Sequence, residues 1–175
     1  VTAPHGVGHT LGVAIEIPAP HGPELDAVRA RYSPDDGDMP AHVTILAPVD
    51  VDADVLEAVI THLARVAAET APFRLCLRGT GTFRPVSPVV FVAVAEGISS
   101  CEQLERRVRS GDLAVETRFP YHPHVTIAHD VPDSAMDRAL AELADYRADV
   151  AVTSMSLHEN VDGRWRLLRE FTFGG

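Results

Sequence analysis

Two identical tetrapeptides, His42-Val43-Thr44-Ile45 and His124-Val125-Thr126-Ile127, stand 82 positions apart in a chain of 175 residues. In an extended strand alternate side chains share a face, so each motif aims His and Thr, about 6.6 Å apart along the backbone, at one surface while Val and Ile point into a core. Imidazole, with an unperturbed pKa of about 6.5, takes or gives a proton near neutrality, and a Thr hydroxyl donates to an oxyanion without bringing charge. Two such pairs, set face to face, suit in-line displacement at phosphorus. One imidazole removes a proton from the nucleophile and the other protonates the leaving oxygen on the far side. A single His-x-Thr is a common strand fragment; its recurrence at the same place in both halves of a diverged chain is what singles it out. Two imidazoles of like pKa predict a bell-shaped kcat/KM with its top between roughly pH 6 and 7.5.

The elements that must position these motifs follow from periodicity. Leu11–Ile17 reads as a strand stopped by Pro18-Ala19-Pro20, and a short helix from Pro23 carries Leu25, Val28 and Tyr32 on one face. Strand Ala41–Ala47 ends at Pro48, and a helix capped by Asp50 or Asp52 buries Leu56, Ile60, Leu63 and Ala67. Phe73–Leu77 returns as strand. The second half repeats the order: strand Val89–Ala95, a helix opened by the capping box Ser99-Ser100-Cys101-Glu102, strand Val125–Ala128, and a helix capped by Asp133 with Met136, Leu140 and Leu143 inside. Strands around Val150–Leu157 and Trp165–Phe173 flank Asp162-Gly163, a strong hairpin turn. The helix stripes of the two halves differ by 80 positions and the opening strands by 79, which points to an internal duplication. The chain predicts one domain, residues 1–175, with lobes of approximately 1–87 and 88–175.

Composition narrows the function classes. Apolar residues make up 46% and charged residues 23%, enough for a sizeable core and far from disordered composition. The net charge is −10, and all 15 basic residues are Arg. An acidic body repels long polyanions, so coating DNA or RNA through a basic surface is disfavoured, whereas a small charged substrate is not. Cys76 and Cys101 are too few for a disulfide framework and fit no metal spacing; reduced thiols in a cytoplasm are expected. Val1–Thr10 has no basic and apolar leader pattern, and the longest apolar run, Val89–Ala95, falls far short of the ~20 residues that span a bilayer.

The paired motifs, with Tyr121-His122-Pro123 ahead of the second, resemble the two-histidine (2H) phosphoesterase superfamily, which includes bacterial 2′-5′ RNA ligase-like proteins and RNA 2′,3′-cyclic phosphodiesterases. The resemblance covers nearly the whole chain. It implies an α+β, two-lobed LigT-like fold, with two antiparallel sheets lining a central cleft and helices outside. It also implies a cytoplasmic, metal-independent and cofactor-free phosphoesterase that hydrolyses, or reversibly ligates, a 2′,3′-cyclic or 2′-5′ phosphodiester of a small nucleotide or RNA end. His42 and His124 would be the catalytic acid and base, and Thr44 and Thr126 would hold the phosphate oxygens. Two positions depart from the family pattern: Tyr121 where many members have Phe, and His129 where many have Arg. A permanent cation could hold a further phosphate, whereas His129 is charged only part of the time near pH 7.

Other residues carry weaker signals. Tyr121 and Phe83 could stack on a nucleobase, and His129 could contact substrate. His122 and His124, with His42 or His129, could form a facial metal site and so a metal-dependent hydrolase, although no carboxylate stands at ligand spacing. A module that binds a nucleotide or RNA end without turning it over is the other alternative. Asp35, Asp36 and Asp38 read as a solvated turn, Arg106, Arg107 and Arg109 as an exposed helix surface, and Arg164 and Arg166 as edge charges opposite Trp165.

Overall fold

The computed structural model describes residues 8–33 and 39–175; Asp35, Asp36 and Asp38 lie outside them. Along the chain run β1 (His9–Glu16), α1 (His21–Tyr32), β2 (His42–Val51), α2 (Leu56–Ala68), β3 (Phe73–Thr82), β4 (Val89–Glu96), α3 (Ile98–Val108), β5 (His124–His129), α4 (Asp133–Glu142), β6 (Arg147–Val152), β7 (Ser154–Val161) and β8 (Arg164–Thr172). The fold is α+β, with the strands in one open antiparallel sheet of order β6-β3-β4-β5-β2-β1-β7-β8. The two sheets implied by the motif resemblance are its two four-stranded halves, joined between β2 and β5 at the single pair Val43–Val125.

These halves are not the halves of the chain. In each, one motif strand is innermost (β2 or β5) and is followed outward by the strand that opens its repeat (β1 or β4). The outer strands are exchanged across the expected division at residues 87 and 88: β3 pairs with β4, while the β7–β8 hairpin pairs with β1. The segment around Val150–Leu157 is correspondingly two strands, broken at Thr153, because β6 pairs with β3 and β7 crosses to β1. The Asp162-Gly163 turn forms as expected. Both residues have positive φ, 52° and 82°, the conformation that a two-residue hairpin turn demands, and Gly163 supplies it without a Cβ penalty.

One core holds the molecule together. Leu11, Val13 and Ile15 of β1 and the motif residues Val43, Ile45, Val125 and Ile127 are buried with Leu25, Leu63, Leu104 and Met136 from the four helices. The expected helix caps do not form. Asp50 lies within β2, where its carboxylate accepts from the Thr10 hydroxyl at 2.6 Å, and Asp52 precedes a short 3₁₀ turn ahead of α2. Ser99 and Glu102 lie inside α3, which starts from Gly97, and Asp133 is the first residue of α4, facing Arg84 at 3.3 Å. Helix position is instead fixed by packing: Val59, Leu63, Val66 and Ala67 form the deep face of α2, with Leu56 and Ile60 only half-buried beside it.

Arg166 is exposed at the sheet edge as expected, and it and two of the three helix arginines also form ion pairs. Arg166 donates to the buried Glu159, which His9 also meets at 2.5 Å. Arg107 pairs with Glu69 at 2.7 Å, and Arg109 with the buried Glu105. Both cysteines are free and buried, and burial pushes the Cys101 thiol up to about 12. Among the described residues no helix is long and apolar enough to cross a membrane.

Candidate active site

The Val43–Val125 pair fixes the geometry of both motifs. With these valines turned into the core, their neighbours must project from the opposite face. The antiparallel register places His42 across from Thr126 and Thr44 across from His124. The two imidazoles thus occupy diagonal corners of a quartet, roughly 7–8 Å apart in a regular ladder. All four side chains are half-buried and line one groove of ≈ 470 Å³, within the usual size range of small-ligand sites.

Each imidazole is oriented in the same way. His42 Nδ1 lies 2.8 Å from the carbonyl of Pro40, and His124 Nδ1 lies 2.7 Å from the carbonyl of His122. A carbonyl can only accept, so Nδ1 carries the proton in both rings, and each Nε2 has its lone pair available in the neutral form. Burial, the largest influence, lowers the His42 pKa to about 4; the Pro40 bond opposes this, and the cation of Arg29, with His158 and His124, adds to the lowering. His124 is lowered too, chiefly by burial and against the pull of its bond to His122.

Residues outside the motifs hold this arrangement. The Asp26 carboxylate of α1 accepts from the Ala41 amide at 2.8 Å and from Arg29 at 2.9 Å, and Arg29 also donates to the Met39 carbonyl at 2.9 Å. These bonds clamp the backbone just before His42 and bring the Arg29 cation to the groove wall. Tyr121 donates from its hydroxyl to the Thr44 carbonyl at 2.9 Å, tying the approach to the second motif onto the strand of the first. Its phenol is held protonated by burial, and Tyr121 does not line the groove; it latches the two strands together. Phe83 likewise does not line the groove. It packs on Phe91 at 4.5 Å and meets the edges of the His122 and His124 rings at 5.4 and 5.0 Å. Of the three further contacts expected from sequence, only His129 lines the groove, with Asp130 at 3.2 Å from its ring.

The sequence reading missed Arg29, Gly12, His158 and Trp165. Gly12 and Trp165 line the groove on the β1–β8 side. His158, opposite Gly12 on β7, is buried on the same face with Nε2 3.4 Å from Glu16. The signal for Trp165 was its alternation with Arg164 and Arg166, which shows a distinct face but not what that face looks onto. The facial metal site expected as a rival does not assemble: among the described residues no three His, Cys, Asp or Glu side chains form a group able to hold a metal ion.

A groove with two diagonal imidazoles and two hydroxyls has the chemistry to transfer protons at a tetrahedral centre. Residues 17–164 match the family model described as the 2′-5′ RNA ligase superfamily, and the chain belongs to that family. It is 28% identical over 160 residues to a Geobacillus sp. (strain WCH70) protein named "Putative phosphoesterase", covering 86% of this chain and 88% of that one. The fold matches Escherichia coli LigT complexed with 3′-AMP, at a TM-score of 0.70 and 22% identity over 97% of this chain and 100% of LigT. LigT complexed with NADP+ matches at 0.66 and 24%, with the same coverage.

Proposed function

We propose that the protein is a metal-independent phosphoesterase that opens a 2′,3′-cyclic or 2′-5′ phosphodiester of a small nucleotide or RNA end by paired-histidine acid-base catalysis. The observation that carries this reading is the matched pair: His42 and His124 each donate Nδ1–H to the carbonyl two residues earlier, on the same face as Thr44 and Thr126. With Nδ1 occupied, Nε2 is the only ring atom that can exchange a proton with substrate. One Nε2 takes the proton of the attacking water as the new P–O bond forms. The other, protonated beforehand, delivers its proton to the departing ribose oxygen as the old P–O bond breaks. The two Thr hydroxyls donate to the non-bridging oxygens, where charge accumulates. The names of the relatives and the nucleotides held by LigT support the same substrate class.

The test is direct. Purified protein is incubated with 2′,3′-cyclic mononucleotides and with 2′-5′ dinucleotides, and the products are identified by phosphorus NMR with and without exhaustive chelation. A single monophosphate isomer, formed at the same rate after chelation, is expected. Activity that vanishes with the chelator and returns with zinc or manganese would overturn the metal-independent mechanism.

A further inference from the structure

The groove is lopsided. By sheet order β1 corresponds to β4 and β2 to β5, so the residue paired with Thr44, Ala14, corresponds to the residue paired with Thr126, Phe91. Beside Thr126 the Phe91 ring fills the space, packed at tilted and edge-on angles against Phe83 and the rings of His122 and His124. Beside Thr44 there is only a methyl group, and Gly12 follows two residues further along β1. The floor there continues through Leu46 and Pro48 to Trp165 and Gly163 of the β7–β8 hairpin. Trp165 reaches in over Gly12, where a Cβ would already touch Cη2 and Cζ3 of the indole at 3.4 Å. The indole is half-buried and lines the groove.

We infer that the Gly12–Trp165 end of the groove is a subsite for the nucleobase of the substrate, and that it fixes the direction in which the phosphodiester lies between the two histidines. This rests on the phosphoesterase reading above. Gly12 lies about 6.6 Å along β1 from Ala14 and its partner Thr44, a separation that one ribose bridges between a phosphate at the quartet and a base against the indole. On the other side the Phe91 ring stands where Ala14 stands here, and past it the groove is lined by Val89 and His129, with no indole for a base to stack on. An aromatic face also accepts any base, since every base has a π-face.

Direction follows from register. Moving toward Trp165, the outer row of the quartet is Thr44 and His124; the inner row, His42 and Thr126, faces the Arg29 and Met39 end. A nucleoside seated on Trp165 presents its leaving ribose oxygen to His124. Water then enters from the Arg29 end, gives its proton to His42 Nε2 and bonds to phosphorus. The ribose–phosphorus bond breaks and that oxygen takes the proton of His124, so one water and one cyclic ester become one monoester. The strongly lowered pKa of His42 suits the base in this order.

Trp165 is the single tryptophan of the chain, so its own fluorescence reports the subsite. Adenosine monophosphate should quench it saturably, and ribose 5-phosphate and inorganic phosphate should not; bound nucleotide without quenching, or no bound nucleotide at all, overturns the subsite. In a second arm, kcat/KM for a 2′,3′-cyclic nucleotide is divided by that for glycerol 1,2-cyclic phosphate, which has no base. Trp165→Leu should lower this ratio by about 5- to 100-fold, the range of one base–aromatic stack, and Trp165→Phe should restore most of it. An unchanged ratio with both esters turned over sinks the subsite and leaves the phosphoesterase reading standing. Saturable quenching with no turnover of either ester sinks that reading and leaves the subsite. For direction, residual hydrolysis of the cyclic nucleotide should lose its rising acid limb in His42→Ala and its falling alkaline limb in His124→Ala; the reverse pattern overturns the assignment.

Discussion

The two His-x-Thr strands share a sequence, a backbone bond and a face, yet they sit in different surroundings. The first looks onto Ala14, Gly12 and an indole with open space beyond it, and has a guanidinium within electrostatic reach of its histidine. The second is backed by a wall of Phe83 and Phe91 packed against its own histidine. The two motifs place equivalent imidazoles and hydroxyls on one face, and the neighbouring strands make their surroundings unequal. A symmetric pair could bind a phosphodiester in either direction; an unequal pair can select one.

The largest effect should come from the histidines. His42→Ala and His124→Ala should each lower kcat/KM for the best cyclic nucleotide by about 10²–10⁴-fold, as expected for loss of a general acid or base. Circular dichroism should show both variants folded, since neither imidazole belongs to the apolar core. Near wild-type turnover in either variant would rule out the paired mechanism.

The unequal surroundings also move the pH profile. Sequence alone predicts a top between roughly pH 6 and 7.5, whereas His42 titrates at about 4 and His124 below its ordinary value. With His42 as base and His124 as acid, the productive form of the free enzyme lies between those two pKa values. The kcat/KM optimum should therefore fall on the acid side of pH 6.5. A bound phosphate anion favours both imidazolium forms, so the kcat profile should sit at higher pH than kcat/KM. Stability follows the same sign. A histidine lowered on folding stabilises the native state above its unfolded pKa, and this is lost as pH falls from about 6.5 toward 4. Thermal melts should show that loss in the wild type and a smaller one in His42→Ala; an identical slope would mean that His42 is not depressed.

Removing a hydroxyl should cost less than removing an imidazole. Thr44→Val and Thr126→Val each delete one hydrogen bond to a charged oxygen, so about 10-fold in kcat/KM is expected from each, with the side-chain shape kept. A loss equal to that of the histidine variants would give the threonines a larger part in the chemistry than oxyanion binding.

How much of this was legible in the sequence depends on how local each cause is. The motif strands were legible because period-2 alternation puts Val43 and Ile45 inside and His42 and Thr44 outside whatever the partner strand is. The exchange of outer strands was not, because alternation runs unbroken through Arg147–Thr153 and nothing local marks Thr153 as the point where the chain changes partner. Cap signals at Asp52, Ser99 and Asp133 marked helix starts to within a few residues while failing as caps, since packing of Leu63, Leu104 and Met136 sets those helices. Tyr121 and Phe83 were reasonable guesses for stacking by residue type. Trp165 could not be placed in the groove without knowing that β8 follows β7 across the sheet to the side of β1.

The smallest effects compare the two halves through two glycines. A Cβ at Gly81 would come within 2.6 Å of Phe91 Cζ and 2.7 Å of Cε2, and that ring is held by Phe83 and the two histidines. Gly81→Ala should thus overpack the site wall and cost about 1–3 kcal/mol, read as a fall in Tm of roughly 2–4 °C per kcal/mol for a chain of this size. At Gly12 the added methyl meets the indole of Trp165 at 3.4 Å, and the half-exposed indole can yield into open groove. Stiffening the unfolded chain offsets that by about 0.4–1 kcal/mol, so Gly12→Ala should leave Tm within about 2 °C of wild type and shift nucleotide binding by only a few-fold. If Gly12→Ala instead destabilised as much as Gly81→Ala, the first half would be as tightly packed as the second, and the space assigned to a base beside Thr44 would not exist.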